Sequence, residues 1–497
     1  MKRHNRKKLP QPAALPDVYA NLETFKPYLS DGEYAALQEE VTQSLPPAIR
    51  INPLKASGAL PAFLHGKYGW TLESIPFCAA GYRVTRGEGP EPGNTLEHKL
   101  GHYYIQEAAS MLPVELFSIQ PGKADLCLDL AASPGGKTTH LVSRLEDCGL
   151  VLANDSSQGR IPALRIVLQN WGATNAAITR FPGESYGSWY PDTFDRVLLD
   201  APCSMQGLRT AESHPVRPVT DAESSQLARR QAALLASALQ AVRVGGEVVY
   251  STCTLLPAED EGVVAATLER FAGQVQLLDA QSRLPIPAPG ITSPDGITID
   301  PRLEQTIRLW PHRYHTAGFF ACLLQKTGET SLPELPPPTH SMEKAGFFEM
   351  NARESQTFCA NFQDTYGYDL GAYLVEAQRV LVQRAEKFFL FPALLLEQFP
   401  TLPVQSAGLL LGERLPDGFL PSQEWVTRFG SSCRQNILPL DATASNKLLS
   451  GEPVIEGVDL PRSAAKYQVV LNQENYPLGC VKVTGRGLKN LLPRRLL

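Results

Sequence analysis

Two short segments carry cysteines in settings suited to chemistry, Leu199-Asp-Ala-Pro-Cys-Ser204 and Tyr250-Ser-Thr-Cys-Thr254. Each cysteine follows an apolar run that reads as a core strand, and each sits among small polar residues. A single cysteine in such a place is most often an inert core residue. Two at matching strand ends point instead to a reactive rim. The thiolate is the reactive form, and a nearby cation such as Lys137 lowers a thiol from its usual value of about 8.5. A carboxyl group, Asp200, stands three residues before Cys203. The set offers two thiols, an acid and a cation.

A third segment, Asp129-Leu-Ala-Ala-Ser-Pro-Gly-Gly-Lys-Thr138, runs from a strand end through a small-residue turn into a helix. Across Ala131, Ala132, Ser133, Pro134, Gly135, Gly136 and Lys137 a ligand can approach the backbone closely, with a helix N-terminus behind it. That suits a nucleoside or carboxylate group. Gly136-Lys137-Thr138 resembles the end of a P-loop, but the glycine that motif requires would stand at Ala131, and Pro134 stiffens the loop. ATP binding is disfavoured. Asp155 lies about 20 residues further on, at the tip of the next strand, where a carboxylate accepts hydrogen bonds from ribose hydroxyls. Aspartate also caps helices commonly, so the weight lies in the combination, which indicates an adenosine-containing cofactor.

One reaction uses all these groups. A cytosine carbon is too weak a nucleophile to take a methyl group directly. A thiolate adding at C6 makes C5 enamine-like, able to attack a sulfonium methyl. A carboxylic acid at N3 stabilises the charge that develops on the ring. The adduct must then lose its C5 proton and expel the thiol, a step a second thiol can assist. Either Cys203 or Cys253 could attack on these grounds, and no residue stands out as the final base.

The elements that must position these residues are legible. Ala124–Leu130, Gly149–Ala153, Asp195–Leu199 and Glu247–Ser251 read as strands, separated by helical patterns from Thr138, over Arg160–Trp171 and around Gln226–Ala241. Near-continuous apolar strands alternating with helices indicate a parallel sheet covered on both faces, which binds ligands at the carboxyl ends of its strands. Asp17–Ile105 reads as a smaller α/β unit. Ser331-Leu-Pro-Glu-Leu-Pro-Pro-Pro-Thr339 reads as a linker. Beyond it the pattern is of short strands and turns, with a long helix only over Leu370–Ala385.

At 497 residues the chain is long enough for about three domains. With 43% apolar and 20% charged residues the composition is globular, and no apolar run approaches the ~20 residues of a membrane span. A cytoplasmic monomer without membrane contact is expected. Nine cysteines, none in a C-x-x-C pair, predict neither a disulfide framework nor a metal site. The net charge of −5 excludes a polybasic coat but not local patches. One patch is Lys2-Arg3-His4-Asn5-Arg6-Lys7-Lys8. The other is the tail, with Lys482, Arg486, Lys489, Arg494 and Arg495 and no acidic residue after Glu474.

Taken together, these motifs resemble the RNA 5-methylcytosine methyltransferases of the Fmu/Sun class, and within it the RsmF type that acts on small-subunit ribosomal RNA. Arg50-Ile-Asn-Pro-Leu-Lys55 is similar to the family's N-terminal R-x-N element, and Tyr104–Pro113 to its pre-core helix. Asp129–Thr138 resembles its cofactor loop, and Asp200–Ser204 and Ser251–Thr254, with Pro257 and Glu261, its paired cysteine motifs. Arg308–His312 and Gly318–Phe320 close the core similarly, and Leu478–Asn490 is similar to the C-terminal RNA-binding region. The resemblance implies a Rossmann-like class I methyltransferase core, an α/β fold with a mostly parallel seven-stranded sheet. It also implies a small N-terminal α/β domain and a C-terminal α+β, PUA-like RNA-binding region. The expected division is 1–16 basic terminus, 17–120 N-terminal domain, 121–328 core, 329–341 linker, 342–420 middle domain and 421–497 C-terminal domain.

The resemblance also implies roles. Cys253 is the nucleophile, Cys203 the release thiol, Asp200 the N3 partner, and Lys137 belongs to the catalytic set. S-adenosylmethionine is held by Ala131–Lys137, Asp155 and Asp200. Arg50, Asn52, Lys55, Lys482, Arg486 and Lys489 contact RNA, which is ribosomal or alternatively transfer RNA. DNA cytosine methyltransferases use a Pro-Cys nucleophile instead, which here would be Cys203. Two departures stand out. The family's adenine-contacting Asp is replaced by Pro182, leaving Glu184 or the backbone. Met205-Gln206 also replaces the usual Gly-Glu of the cysteine rim. A non-catalytic RNA-binding assembly factor is the competing class, and it has no use for two rim thiols.

Overall fold

The computed structural model describes residues 22–207, 219–293, 300–330, 333–452, 465–485 and 487–496. The N-terminal basic patch, residues 2–8, and Arg486 lie outside the described residues.

The first unit is a four-stranded antiparallel sheet of β1 (Ala48–Ile51), β2 (Thr71–Ile75), β3 (Cys78–Thr85) and β4 (Tyr103–Ile105), in the order β2-β3-β1-β4. The helix Leu60–Tyr68 follows β1 and ends on Gly69 in the left-handed conformation. The Tyr104–Pro113 segment is not the helix expected. It is the end of β4, a 3-10 turn at Ala109–Met111 and the single turn Leu112–Glu115, whose Pro113 suits only a helix start.

The central sheet is built from β5 (Leu126–Asp129), β6 (Leu150–Asn154), β7 (Ala176–Thr179), β8 (Phe194–Asp200), β9 (Val242–Thr252), β10 (Val275–Leu278), β11 (Ile307–Leu309) and β12 (Phe319–Lys326). β5, β6 and β7 are buried at every position, as strands covered on both faces must be. The helices Gly136–Arg144 and Ile161–Trp171 pack one face, and Asp221–Ala241 and Glu261–Arg270 the other. The order is β10-β12-β9-β8-β5-β6-β7, parallel throughout β9-β8-β5-β6-β7 and reversed only at β12.

These are the seven strands expected, but the sheet has nine. β11 pairs with β12, and a two-residue strand, Ser406–Ala407, pairs antiparallel with β7. The addition covers an open sheet edge, where Gln405 N–H donates to Ile178 O at 2.7 Å and Gly408 N–H to Ala176 O at 2.8 Å. A segment assigned to the middle domain thus completes the core sheet.

The order reverses at β5, since the chain proceeds to β6 and β7 on one side and to β8 and β9 on the other. Such a switch point opens a crevice at the carboxyl strand ends. Register aligns those ends, with Asp129 beside Ala153 and Leu198, and Asp200 beside Ser251.

The chain beyond the linker forms a five-stranded antiparallel sheet between Phe348 and Pro421 and a four-stranded sheet between Ile437 and Asn490. The expected helix over Leu370–Ala385 ends at Glu376. Gln378 takes a left-handed turn (φ 56°), and Arg379–Arg384 is a strand paired with Lys387–Pro392. A helix at Ala352–Tyr366 was not anticipated, although its Asn351/Glu354 capping box is readable in sequence. One aromatic core, containing Phe362, Phe388, Trp425 and Val469, crosses the boundary drawn at residue 420. No helix among the described residues is long and apolar enough to cross a membrane.

Candidate active site

The switch-point crevice gathers the chemistry-bearing residues. Cys203 leaves β8 and Cys253 leaves β9, and their Sγ atoms approach to 3.1 Å. Cys253 is exposed and Cys203 half-buried. The S–H of Cys203, donated to Cys253, holds the Cys253 thiol below the usual range, with Lys137 adding to the effect against burial and Asp200. Donating that proton, together with burial, pushes Cys203 well up. Of the two thiols, Cys253 is thus the one whose thiolate is favoured.

Lys137, in the first turn of the Gly136–Arg144 helix, reaches Asp200 Oδ2 at 2.7 Å, and Ser251 Oγ donates to Asp200 Oδ1 at 2.8 Å. Burial alone would lower the Lys137 ammonium, but Asp200 and Cys253 outweigh it and hold it above its ordinary value. Burial pushes Asp129 up to about 7 against the hydroxyl of Thr138, which donates to its Oδ2 at 2.7 Å. Its Oδ1 is buried without a hydrogen-bond partner among the described residues.

The crevice has two connected parts. One is lined by Tyr104, Glu107, Asp129, Ala131–Pro134, Gly136, Lys137 and Asp200. The other joins Ala131, Ser133 and Asp200 to Asp155, Arg160, Gly183, Arg230, Cys203, Met205 and Cys253. Glycines set the shape of the loop between them. Gly135 has φ 114°, and a Cβ there would lie 3.0 Å from Val167 Cγ1; a Cβ on Gly136 would lie 2.9 Å from Tyr104 Cε1. Ala132 is buried behind the loop. Asp155 accepts from Ser133 N–H at 3.2 Å and Ser157 N–H at 2.8 Å. Beside Pro182, Glu184 accepts from Arg230 Nε at 3.2 Å. Met205 stands exposed at the mouth in a left-handed turn (φ 58°), while Gln206 turns inward and donates to Ser204 O at 3.2 Å.

The expectation that Arg50, Asn52 and Lys55 contact RNA is corrected. Arg50 and Asn52 are fully buried. Arg50 donates to Gln106 Oε1, Gly136 O and Thr139 Oγ1 at 3.0, 2.8 and 2.7 Å, with its guanidinium 4.7 Å from the Trp171 ring. Asn52 donates to Gly101 O and Trp171 O, and Lys55 to Leu100 O, Asn170 O and Thr427 Oγ1, all between 2.7 and 2.9 Å. Asn52 and Lys55 satisfy carbonyls left open at the C-terminal ends of two helices, Arg50 reaches the first turn of the Gly136–Arg144 helix, and together they rivet the first unit to the core. Lys482 and Lys489 do lie on adjacent strands, directly opposite each other in register. Lys489 is exposed, and Lys482 pairs with Asp417 at 2.6 Å.

Sequence reading also missed a buried group, Cys78, Glu115 and His140, whose ligand-type atoms lie within 4.8 Å. Glu115 already takes His140 Nε2 at 3.0 Å and pairs with Arg144, and Arg50 lies close enough to help hold His140 neutral. Two guanidinium groups make it a poor seat for a cation.

Residues 116–325 match the family described as 16S rRNA methyltransferase RsmB/F, and residues 15–108 match the N-terminal domain of 16S rRNA methyltransferase RsmF. The chain is 32% identical over 453 residues to ribosomal RNA small subunit methyltransferase F of Aeromonas salmonicida, covering 90% of each. It is 30% identical over 457 residues to the protein of that name from Psychromonas ingrahamii, again covering 90% of each. Among solved structures, a methyltransferase homolog from Pyrococcus horikoshii aligns with a TM-score of 0.54 and 29% identity, over 63% of this chain and 100% of that one. A switch-point crevice with two thiols, a whole-length likeness and two adjoining family matches lead to one assignment: the chain belongs to the RsmB/F family of 16S rRNA methyltransferases.

Proposed function

We propose that this methyltransferase places a methyl group on C5 of a cytosine in 16S rRNA, with Cys253 as the covalent nucleophile. The observation that carries this reading is the 3.1 Å approach of Cys203 and Cys253 beside the Lys137–Asp200 pair.

The crevice fits S-adenosylmethionine. Asp129 Oδ1 is a buried acceptor in want of a donor, the Gly135-Gly136 turn leaves no room for side chains, and Asp155 stands at the second strand end. Ala131–Lys137 would cradle the amino-acid part, and Asp155 the ribose. Gly183, Arg230 and Leu234 line the end beyond Asp155, where an adenine would lie. When bound, the cofactor supplies an electrophilic methyl on a sulfonium centre.

The chain's own residues do the rest. The Cys253 thiolate adds to C6 while Asp200, as the carboxylic acid, gives its proton to N3, and Lys137 pairs with the carboxylate left behind. C5 becomes nucleophilic and takes the methyl. A base in solvent takes the C5 proton, N3 returns its proton to Asp200, and the C6–S bond breaks with its electron pair going to sulfur, so that Cys253 leaves as thiolate, the form that the Cys203 S–H stabilises. The target base must leave its stack to reach a thiol at the strand ends. Lys482 and Lys489, on one sheet face, support a phosphate-contacting role for the C-terminal unit. The chain acts in the cytoplasm as a monomer on small-subunit RNA.

The test is a pair of substitutions. Cys253→Ala abolishes methyl transfer but binds S-adenosylmethionine normally by equilibrium dialysis. Cys203→Ala accumulates a protein–RNA adduct that survives denaturing electrophoresis. Full activity in Cys253→Ala would exchange the two roles.

A further inference from the structure

Cys203 is held from both sides by one pair of buried side chains outside the cleft. Gln231, on the Asp221–Ala241 helix, donates through Nε2 to Pro202 O at 3.0 Å and to Glu259 Oε2 at 3.0 Å. The same Glu259 oxygen accepts from Ser204 N–H at 3.0 Å. Gln231 and Glu259 are both fully buried. The residues before and after Cys203 thus hang from a single carboxylate oxygen and its amide partner. Cys253 is secured separately. Thr252 Oγ1 donates to Asp260 Oδ1 at 2.6 Å, and Arg308 Nη2 lies 3.3 Å from Asp260 Oδ2. The two turns then meet through Ser204 Oγ and Thr254 Oγ1, 3.1 Å apart.

The site itself does not require Glu259 for charge. It does not line the crevice, and Lys137, Asp200 and Cys203 are the charged or proton-bearing groups that act on Cys253 from the facing elements. What Glu259 supplies is an acceptor that a buried backbone N–H needs. Its Oε1 and Gln231 Oε1 are buried without partners among the described residues.

We propose that Glu259, acting with Gln231, is a positioning residue of this active site, clamping the Pro202–Ser204 turn so that the Cys203 thiol stays within hydrogen-bond distance of Cys253. The inference rests on Cys253 being the nucleophile. Without the clamp the S–H donor drifts away, and the Cys253 thiolate loses the group that stabilises it.

The experiment is alkylation of the full chain by iodoacetamide across pH, with each modified cysteine located by peptide mass. In Glu259→Ala the midpoint for Cys253 moves up by about one pH unit, towards an ordinary thiol. Glu259→Gln keeps an oxygen for Ser204 N–H and brings an amide that Gln231 Oε1 can accept, so it restores the midpoint. S-adenosylmethionine affinity stays within about twofold in both. An unmoved midpoint in Glu259→Ala overturns the clamp. So does a Gln variant that shifts as far as Ala, because charge and not geometry would then be what Glu259 supplies. If Glu259→Ala does not fold, Gln231→Leu removes the Pro202 tether and the amide that braces Glu259, leaving the Ser204 bond, and an unmoved midpoint there overturns the clamp equally. Alkylation of Cys203 before Cys253 in the unaltered protein would instead defeat the nucleophile assignment, whatever Glu259 does.

Discussion

At the scale of residues, the crevice gathers three carboxyl groups, Glu107, Asp129 and Asp200, around one ammonium, Lys137. Burial raises Asp129 to about 7, above the ~3.9 of an unfolded chain, so between these values the folded state holds a proton that the unfolded state has lost. The stability this gives is complete below about pH 4 and is lost as pH rises through 7. Asp129→Asn keeps an acceptor for Thr138 and removes that slope. It raises stability at pH 8 by an amount on the order of 2 kcal/mol relative to pH 5, read as the change in melting temperature at the two values. An identical difference in the parent protein and the variant would show that the carboxyl is not raised. Residue identity made the two thiols, the acid and the cation legible in sequence, because reactive groups in small-residue turns are unusual. It could not rank Cys203 against Cys253, since what distinguishes them is a 3.1 Å contact between two separate strand ends.

At the scale of elements, four strands of the core, β5, β6, β8 and β9, were readable from their apolar runs, and the cofactor loop from its small residues. Where reading failed, local chemistry competed with a longer pattern. Leu370–Ala385 keeps helical periodicity, but Gln378 breaks it and Arg379–Arg384 finds a partner strand. Ala352–Tyr366 is amphipathic around Phe358 and Phe362, yet its polar face hides the pattern. Gly135 tests how far the loop depends on backbone shape. With φ 114° and a Cβ that would press on Val167 and Leu164, Gly135→Ala strains the turn by about 1–3 kcal/mol. The loop then shifts, and S-adenosylmethionine affinity falls at least tenfold in equilibrium dialysis. Gly122 also has a positive φ (77°), but a Cβ there meets open space, so Gly122→Ala carries the strain without the displacement. Equal losses from both would mean that strain alone, and not the loop's position, governs binding.

At the scale of the whole molecule, polar residues that looked like RNA contacts instead serve as joints, a distinction that needs three-dimensional neighbours. Arg50 reaches the first turn of a core helix, and Asn52 and Lys55 reach helix-end carbonyls, partners that no pattern in their own segment reveals. Asp147 is the corresponding joint for the later units. Its carboxylate pairs with Arg428 and its carbonyl accepts from Arg379, so one turn after the Gly136–Arg144 helix holds both the middle and C-terminal sheets. Gly172 completes the joint, since its carbonyl accepts from Arg428 and a Cβ there would lie 2.9 Å from Arg428 Cδ. Arg428 is nearly buried, and breaking a buried pair from one side costs about 3–5 kcal/mol because the other charge is stranded. Asp147→Ala strands Arg428 beside Lys55, whose ammonium burial already holds well below its ordinary value. The loss falls on the joint and not on the core sheet. Amide hydrogen exchange therefore accelerates at least tenfold in Gln423–Phe429 and Arg379–Arg384, while β5, β6 and β8 keep their protection and cofactor affinity is unchanged. Acceleration spread evenly over the chain would mean that the units unfold as one, and protection unchanged everywhere would remove Asp147 from the joint.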